Sequence, residues 1–557
     1  MLHAKFRKQK ELPLNITNLN DRKYEFLKNS VYHIFRTVIL PILPVKIFKK
    51  HFNTSIGRKT KDIQSIIGLF IFQAMFDYTD QQSVEAYTFD QKFHYALDLK
   101  EDDAYLSIRS FYYYKSIILG TEKRIFDRVL DKIKETIELD YSIQRTDSTQ
   151  VGLNLKKMSQ WELFKSTLIK FLKELKSCFP QEYQSRPEHI QSYLREDKEA
   201  WFTGFSPSKA QDYLVQAAQD ALSLKDMFKD HPQISEQQAF ELLARLIAEQ
   251  VTVSDEGIKV ELKPECKGSA LANPHDPEAQ YNGRKKEAGV KATISETCSP
   301  DEETDNPQII TNVDVQPANV SDIDILQPSI EEREERDLKP DLELTDNGFE
   351  SDANHQALQE KDVDLIAPPT GEAPDGFGII DFELGDDGQT ILSCPLGVKC
   401  QSNKVNKKAK KTTSYFDPAV CRDCVHQDDC PIKITKRKAR VIWSWNKPRL
   451  EARRIAFQYD EELIELYRKR SGGEAVVSQL KNHLGLKRLR TRGLDKAGCR
   501  IVFAAIALNI KRLTNWLAKT QGTSTSKRRH SRGILSARRF FWARTCLCQP
   551  IDMGMAA

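Results

Sequence analysis

The apolar period of this chain changes near residue 140, and that change excludes a fold built from helices alone. Over residues 22–139 the pattern is helical, clearest where Ile63, Ile66, Ile67, Phe70 and Ala74 recur at helical spacing. Residues 140–155 (DYSIQRTDSTQVGLNL) then read as extended, rich in Tyr, Ile, Thr and Val. Residues 161–253 return to helical period, with Leu168, Phe171, Leu172 and Leu175 on one face and Phe240, Leu243 and Ile247 on another. Beyond a polar stretch at 273–284, strand-like runs at 289–296 and 308–315 are expected to pair with the 142–151 strand, the second run ending at Pro317. Residues 321–337 are acidic and helical, and the short apolar run 342–345 stops at Asp346-Asn347-Gly348, a strand ending in a carboxylate. Residues 375–441 are rich in Gly, Lys and Cys with little periodicity and read as an insertion before Ile442, Trp443 and Trp445. Residues 449–516 read as helical, and 523–557 as a basic, irregular tail.

With 557 residues the chain has the length of three or four structural units. The expected division is an all-helical unit at 1–139, a mixed α/β unit at 140–520 with insertions at 156–285 and 375–441, and a tail at 521–557. Lys and Arg number 84 against 79 Asp and Glu, a net +5, and 40% hydrophobic with 29% charged residues excludes a disordered chain. Bulk charge therefore names no partner. The apolar stretch 65–76 is shorter than a membrane span and residues 1–14 carry no apolar run, so a cytoplasmic protein with no membrane partner is expected. Eleven cysteines, an odd number, argue against a disulfide framework in such a chain.

Tyr467, Arg470, Glu474 and Lys481 stand at offsets of 0, 3, 7 and 14, which on one α-helix gathers them within about a quadrant of the surface. One reading is a solvated helix face with ion pairs. Gly472 and Gly473 weaken a helix at this point, or mark where one begins. The same spacing, however, resembles the signature around the catalytic glutamate of bacterial insertion-sequence transposases of the DDE class. Arg145-Thr146-Asp147-Ser148-Thr149 is similar to the first-aspartate strand of that family, and Thr345-Asp346-Asn347-Gly348-Phe349 to its second-aspartate motif. Segments 57–107 and 485–512 resemble the N-terminal helical domain and the C-terminal end of the same group, so the likeness covers most of residues 22–513 and is diluted between 155 and 273.

This resemblance implies an α/β catalytic domain of the ribonuclease-H-like fold with a large helical insertion, preceded by an all-helical domain and carrying a Cys-rich insertion. It implies Asp147, Asp346 and Glu474 as catalytic acids and ligands of two Mg²⁺ (or Mn²⁺) ions. Phosphodiester cleavage needs an activated water and a stabilised leaving oxygen, which two ions held by hard carboxylates supply. Arg470 and Lys481 would then contact DNA phosphate, with Tyr467 either beside them or simply packed against its neighbours. The implied activity is cleavage of element ends and joining of the 3′ hydroxyl to target DNA. The implied partners are double-stranded terminal inverted repeats and target DNA, and the implied assembly is a homodimer or larger synaptic complex in a bacterial, nucleoid-associated setting. The rival is a catalytically inactive, decayed or domesticated, sequence-specific DNA-binding protein.

Residues 468–512 contain twelve Lys or Arg against Glu474 and Asp495, a local excess that suits a polyphosphate, with Lys487, Arg488, Arg490 and Arg492 at its centre. The alternative is a solvated face, which more usually mixes signs. Lys-rich 404–411 and the 527–544 tail offer further phosphate contacts. Cys394, Cys400, Cys421, Cys424 and Cys430 include one Cys-x-x-Cys pair, the usual half of a structural zinc site. Five thiols exceed the four that tetrahedral zinc takes, and the alternative is free reduced thiols. Lys49, Lys50, Arg58, Lys59 and Lys61 precede the Ile63 helix, which fits either a DNA-binding helical unit or a dimerisation bundle.

Overall fold

The structure, a computed structural model, describes residues 20–52, 60–155, 158–194, 210–254, 257–266, 269–282, 287–298 and 306–522. Arg58, Lys59 and the basic 523–557 tail lie outside the described residues.

A mixed sheet organises the chain. Its strands are β1 (Ile143–Gly152), β2 (Gln280–Asn282), β3 (Glu287–Thr297), β4 (Ile310–Pro317), β5 (Leu342–Thr345) and β6 (Asp364–Ile366). β1, β3, β4 and β5 fall where strands are expected, because β-branched residues alternate with small polar ones and turn residues punctuate the runs; β2 and β6 are too short to show a period, and the 308–315 run pairs with β3 rather than with β1 as expected. β1 pairs antiparallel with β3, from Gln144 opposite Thr297 to Gly152 opposite Gly289, and β3 pairs antiparallel with β4. On its other side β1 runs parallel to β5, Ile143 opposite Leu342 through Thr146 opposite Thr345, and β5 runs parallel to β6. Helix Asp322–Glu334 makes the β4-to-β5 crossover and helix Asp352–Gln359 the β5-to-β6 crossover.

Each face of the sheet is covered. On one side the 29-residue helix Leu494–Gly522 packs on β4 and on helices Ile63–Phe76 and Glu122–Ile137. Ile67 and Phe70 from the first helices, Ile294 and Val313 from the strands, and Ile506 from the last helix belong to one continuous core. Hydrophobic contact thus runs across the expected boundary at residue 139, and the N-terminal helices share their core with the sheet. The long helix has the length and hydropathy of a membrane span, but 67% of its most apolar window is buried inside the protein. On the opposite face a fully buried ion pair joins Arg333 to Glu343 at 2.8 Å, and the Thr146 hydroxyl donates to the same Glu343 carboxylate.

Residues 158–271 form a second core from helices Gln160–Cys178, Ala210–Phe228 and Gln238–Gln250, closed by the hairpin Val251–Ser254 with Gly257–Val260. Residues 375–441, read as an insertion with little periodicity, form together with 442–444 a four-stranded antiparallel sheet. Its order is Ser402–Asn406, Lys411–Phe416, Ala439–Ser444, Lys433–Ile434. Ala439, Val441 and Trp443 alternate inward along one strand. That period-two signal is only three residues long and is interrupted by outward Arg440 and flanked by Lys438, which hides it in the sequence.

The 449–516 region is not helical throughout. Helices Lys447–Tyr459, Glu461–Arg468 and Gly472–His483 are followed by a non-helical segment at 484–493. That segment docks on the end of β1, where the Leu489 N–H donates to the Gly152 carbonyl at 2.8 Å.

Candidate active site

The segment carrying Tyr467, Arg470, Glu474 and Lys481 is not one continuous α-helix. Glu461–Arg468 tightens into a 3₁₀ turn at Lys469–Ser471, and a new helix begins at Gly472, so the four side chains are not gathered by a single helical period. Arg145 lies directly beneath this junction. A Cβ on Gly472 would stand 2.0 Å from Arg145 Nη1, so only glycine lets the backbone pass over this guanidinium. Arg145 cannot yield: it is buried, donates to Glu296 Oε1 at 2.8 and 2.6 Å, to Gln308 at 2.7 Å and to the Lys469 carbonyl at 2.8 Å. Arg512 Nη1 completes the cluster on Glu296 Oε2 at 2.6 Å. In the sequence Arg145 is only a flank of the Asp147 motif, and nothing local points to its partners Glu296 and Arg512.

Asp147 lies on β1, one residue beyond Thr146, whose parallel partner is Thr345; Asp346 follows Thr345 directly. The two acids therefore leave the same edge of adjacent parallel strands. Asp346 is held by the turn that follows it, accepting from the Gly348 N–H at 2.8 Å. That turn is anchored by Asp352, which binds Arg449 at 2.7 Å and Arg453 at 3.3 Å. His355, beside Arg453, is pushed down to about 3 chiefly by burial and is neutral. Glu474 sits in the first turn of helix Gly472–His483 with its side chain 76% exposed.

The guanidinium of Arg470 stands among all three acids. Nη2 is 3.5 Å from Asp147 and 3.9 Å from Asp346, and Nη1 is 3.9 Å from Glu474. These separations exceed the 2.7–2.9 Å of charge-assisted hydrogen bonds, and Nε is buried without a partner. One cation thus faces three carboxylates without bonding closely to any of them. Burial is the largest influence on Asp147 and raises its carboxyl above the ordinary value; Arg470 opposes this, while Asp346 and Glu474 add to it. Tyr467 packs edge-on against Phe457, ring centroids 5.4 Å apart, and burial raises its hydroxyl, with Arg470 acting in the opposite direction. As positioned, no group of three or more His, Cys, Asp or Glu side chains among the described residues closes tightly enough to hold a metal ion. The donor set nevertheless suits a hard divalent cation: three carboxylates countered by one poorly bonded guanidinium leave a net negative site.

The basic residues expected at the surface divide into two groups. Lys487, Arg488 and Arg492 are exposed, Arg488 and Arg492 also touching the Leu155 and Asn154 carbonyls at 3.4 and 2.9 Å. Arg490, also exposed, pairs with Asp77 at 3.0 Å. Arg500 pairs with Asp77 at 3.0 Å as well, and Lys511 donates to the Met75 carbonyl at 2.9 Å. The local charge excess is therefore smaller than the count over 468–512 implies, because Asp77 and Glu296 arrive from elsewhere in the chain. Lys481 is half-buried in the last turn of its helix. Lys404 and the turn at 407–410 are exposed on a hairpin of the small sheet. Cys394, Cys421, Cys424 and Cys430 line one cavity, and Cys400 does not.

Fold and site together define a mixed α/β domain that draws three carboxylates from separate segments to one sheet edge. Residues 393–514 match the family model described as Transposase DDE domain. The matched span includes Glu474 and all five cysteines of the small sheet region, which places those cysteines within the matched domain. It does not reach Asp147 or Asp346. No curated protein and no solved structure matches the chain.

Proposed function

We propose that this chain is a transposase that cleaves the ends of an insertion sequence and joins the freed 3′ hydroxyls to target DNA. The observation that carries the reading is the convergence of Asp147, Asp346 and Glu474 around Arg470 at 3.5–3.9 Å, from segments more than a hundred residues apart. The strand directions of the sheet, two antiparallel pairings followed by two parallel ones, support a ribonuclease-H-like catalytic domain.

Asp147, Asp346 and Glu474 are the groups that would hold two Mg²⁺ or Mn²⁺ ions, which when bound supply water activation and stabilise the leaving oxygen. The chain's own residues do the rest. The β1–β5 register sets Asp147 beside Asp346, and the Arg145–Glu296–Arg512 cluster lies beneath the start of the Glu474 helix. Arg470 balances the acids in the absence of DNA, and a guanidinium so placed can turn to grip a phosphate bidentately. Lys481, Lys487, Arg488 and Arg492 extend a basic face for the DNA backbone, and Arg490 contributes at its margin. The substrates on this reading are duplex terminal inverted repeats and target DNA, bound by a homodimer or larger assembly in the bacterial cytoplasm.

The test is cleavage of a labelled duplex carrying the element's flanking terminal repeats, with Mg²⁺ or Mn²⁺, by the wild-type chain and by Glu474→Gln. Cutting at the repeat end by the wild type, reduced at least a hundredfold in the variant, is expected. Specific binding of those ends with no cutting by either protein would overturn the reading in favour of a DNA-binding protein without catalysis.

A further inference from the structure

We propose that Cys394, Cys421, Cys424 and Cys430 form a structural zinc site that closes the small β subdomain, with Cys400 left as a free thiol. The four line a single cavity at the edge of this subdomain. Cys400 faces elsewhere: its thiol donates toward the Ser402 and Tyr415 carbonyls, each at 3.4 Å. Four cysteines around one space, with the fifth turned away, match the number tetrahedral zinc requires.

Local backbone structure presents each of the four. Cys394 opens a tight turn in which its N–H donates to Val398 at 2.9 Å and its carbonyl accepts from Gly397 at 2.8 Å, with Gly397 at φ +78. Cys421 lies in the short helix Pro418–Arg422, and the Cys424 carbonyl accepts from the Gln427 N–H at 3.2 Å in the turn that leads to Cys430. A turn, a short helix and a second turn thus bring the four cysteines to the lining of one cavity. His426 also lines the cavity, but its ring stands edge-on to Phe377 and its Nδ1 lies 3.7 Å from Asp429, which engages it outside the thiol set.

All four are free cysteines, in no disulfide. Thiolate sulfur is the preferred donor for zinc and is deprotonated on binding. As positioned, the four thiols are not gathered closely enough to hold an ion, so binding zinc would require them to draw together across the cavity they line.

The subdomain also has need of such a tie. Its core between residues 379 and 443 amounts to nine buried residues, one of them Cys421. Units with so little apolar burial are commonly held by a metal or by disulfides. A zinc ion here would join the turn after strand Ile391–Ser393 to the loop preceding strand Lys433–Ile434, and so set the orientation of the exposed Lys404–Lys411 hairpin.

This inference goes beyond the transposase reading and does not depend on it. The full-length chain, purified reduced and without chelator, is assayed for zinc and then exchanged with Co²⁺ for its absorption spectrum. About one zinc per chain and a tetrahedral cobalt–thiolate spectrum are expected. Cys424→Ser should lose the metal, while Cys400→Ser and Asp147→Ala should retain it. A wild-type chain that takes up no zinc, or a cobalt spectrum without thiolate character, overturns the proposal even where Cys424→Ser fails to fold. Loss of zinc in Cys400→Ser overturns the ligand assignment, and loss in Asp147→Ala would place the ion at the carboxylates instead.

Discussion

Arg470 Nη2 stands 3.5 Å from Asp147 Oδ1, and the same guanidinium is 3.9 Å from Asp346 and from Glu474. On the proposed reading a bound divalent cation would compete with this guanidinium for the same negative potential. Replacing Arg470 by Gln should tighten Mn²⁺ binding to the DNA-free protein by about tenfold, or about 1.4 kcal/mol, close to what a unit charge at such distance is worth at a largely solvated site. DNA cleavage should fall in the same variant. Electron paramagnetic resonance of free Mn²⁺ reads the affinity directly, and an unchanged or weaker affinity would show that Arg470 does not oppose the ion.

Asp147 contributes a pH dependence whose sign follows from its raised carboxyl. In the folded chain the group holds its proton to higher pH than in the unfolded chain. Its contribution to stability is therefore fully present below the ordinary value of 3.8 and is lost as pH rises through the folded value. Asp147→Asn should melt about 1–3 °C above the wild type at neutral pH. The difference should shrink on acidification towards pH 4, as measured by thermal unfolding at a series of pH values. A variant less stable than wild type at neutral pH contradicts the assignment of burial as the dominant influence.

The two adjacent glycines before Glu474 should behave differently. Gly472→Ala drives a methyl into a guanidinium that four hydrogen bonds hold in place, and a loss of about 2–3 kcal/mol in denaturant unfolding is expected. At Gly473 the nearest atom to an added Cβ is Asp147 Cβ at 3.6 Å, an ordinary contact, and Gly473→Ala should cost under about 1 kcal/mol. Equal effects at the two positions would show that Arg145 does not confine residue 472 to glycine.

Among the basic residues of 468–512, position in the fold rather than charge should decide the phenotype. Lys487→Ala and Arg488→Ala should weaken binding of any duplex at unchanged stability. Each should also lower the slope of log K against log salt by about 0.9 for every phosphate that the protein no longer neutralises. Arg500→Ala, which removes one of the two arginines on Asp77, should instead destabilise the fold by about 2–3 kcal/mol. Salt titrations of DNA binding beside denaturant curves separate the two classes. A salt slope that does not move in Lys487→Ala and Arg488→Ala would take this face out of the DNA interface.

Much of this organisation is legible before folding. The switch from helical to extended period at residue 140 and the strand that ends at Asp346 are local patterns, written in residues close together, and they suffice for a mixed α/β unit, whereas the three acids stand out only through the resemblance of their motifs to a known family. What local pattern cannot carry is the identity of partners remote in the chain. Arg145, Glu296 and Arg512 meet only because β1, β3 and the last helix pack together, and their cluster leaves no room for a side chain at Gly472, where the Glu474 helix begins. Asp77 likewise takes Arg490 and Arg500 out of a basic run that looks uniform in one dimension. The cysteines show the same division: their spacing announces an excess of one, and only the turn geometry singles out Cys400. Period and spacing are properties of neighbours in sequence, whereas the charge a side chain feels is set by whatever the tertiary fold brings within a few ångströms of it.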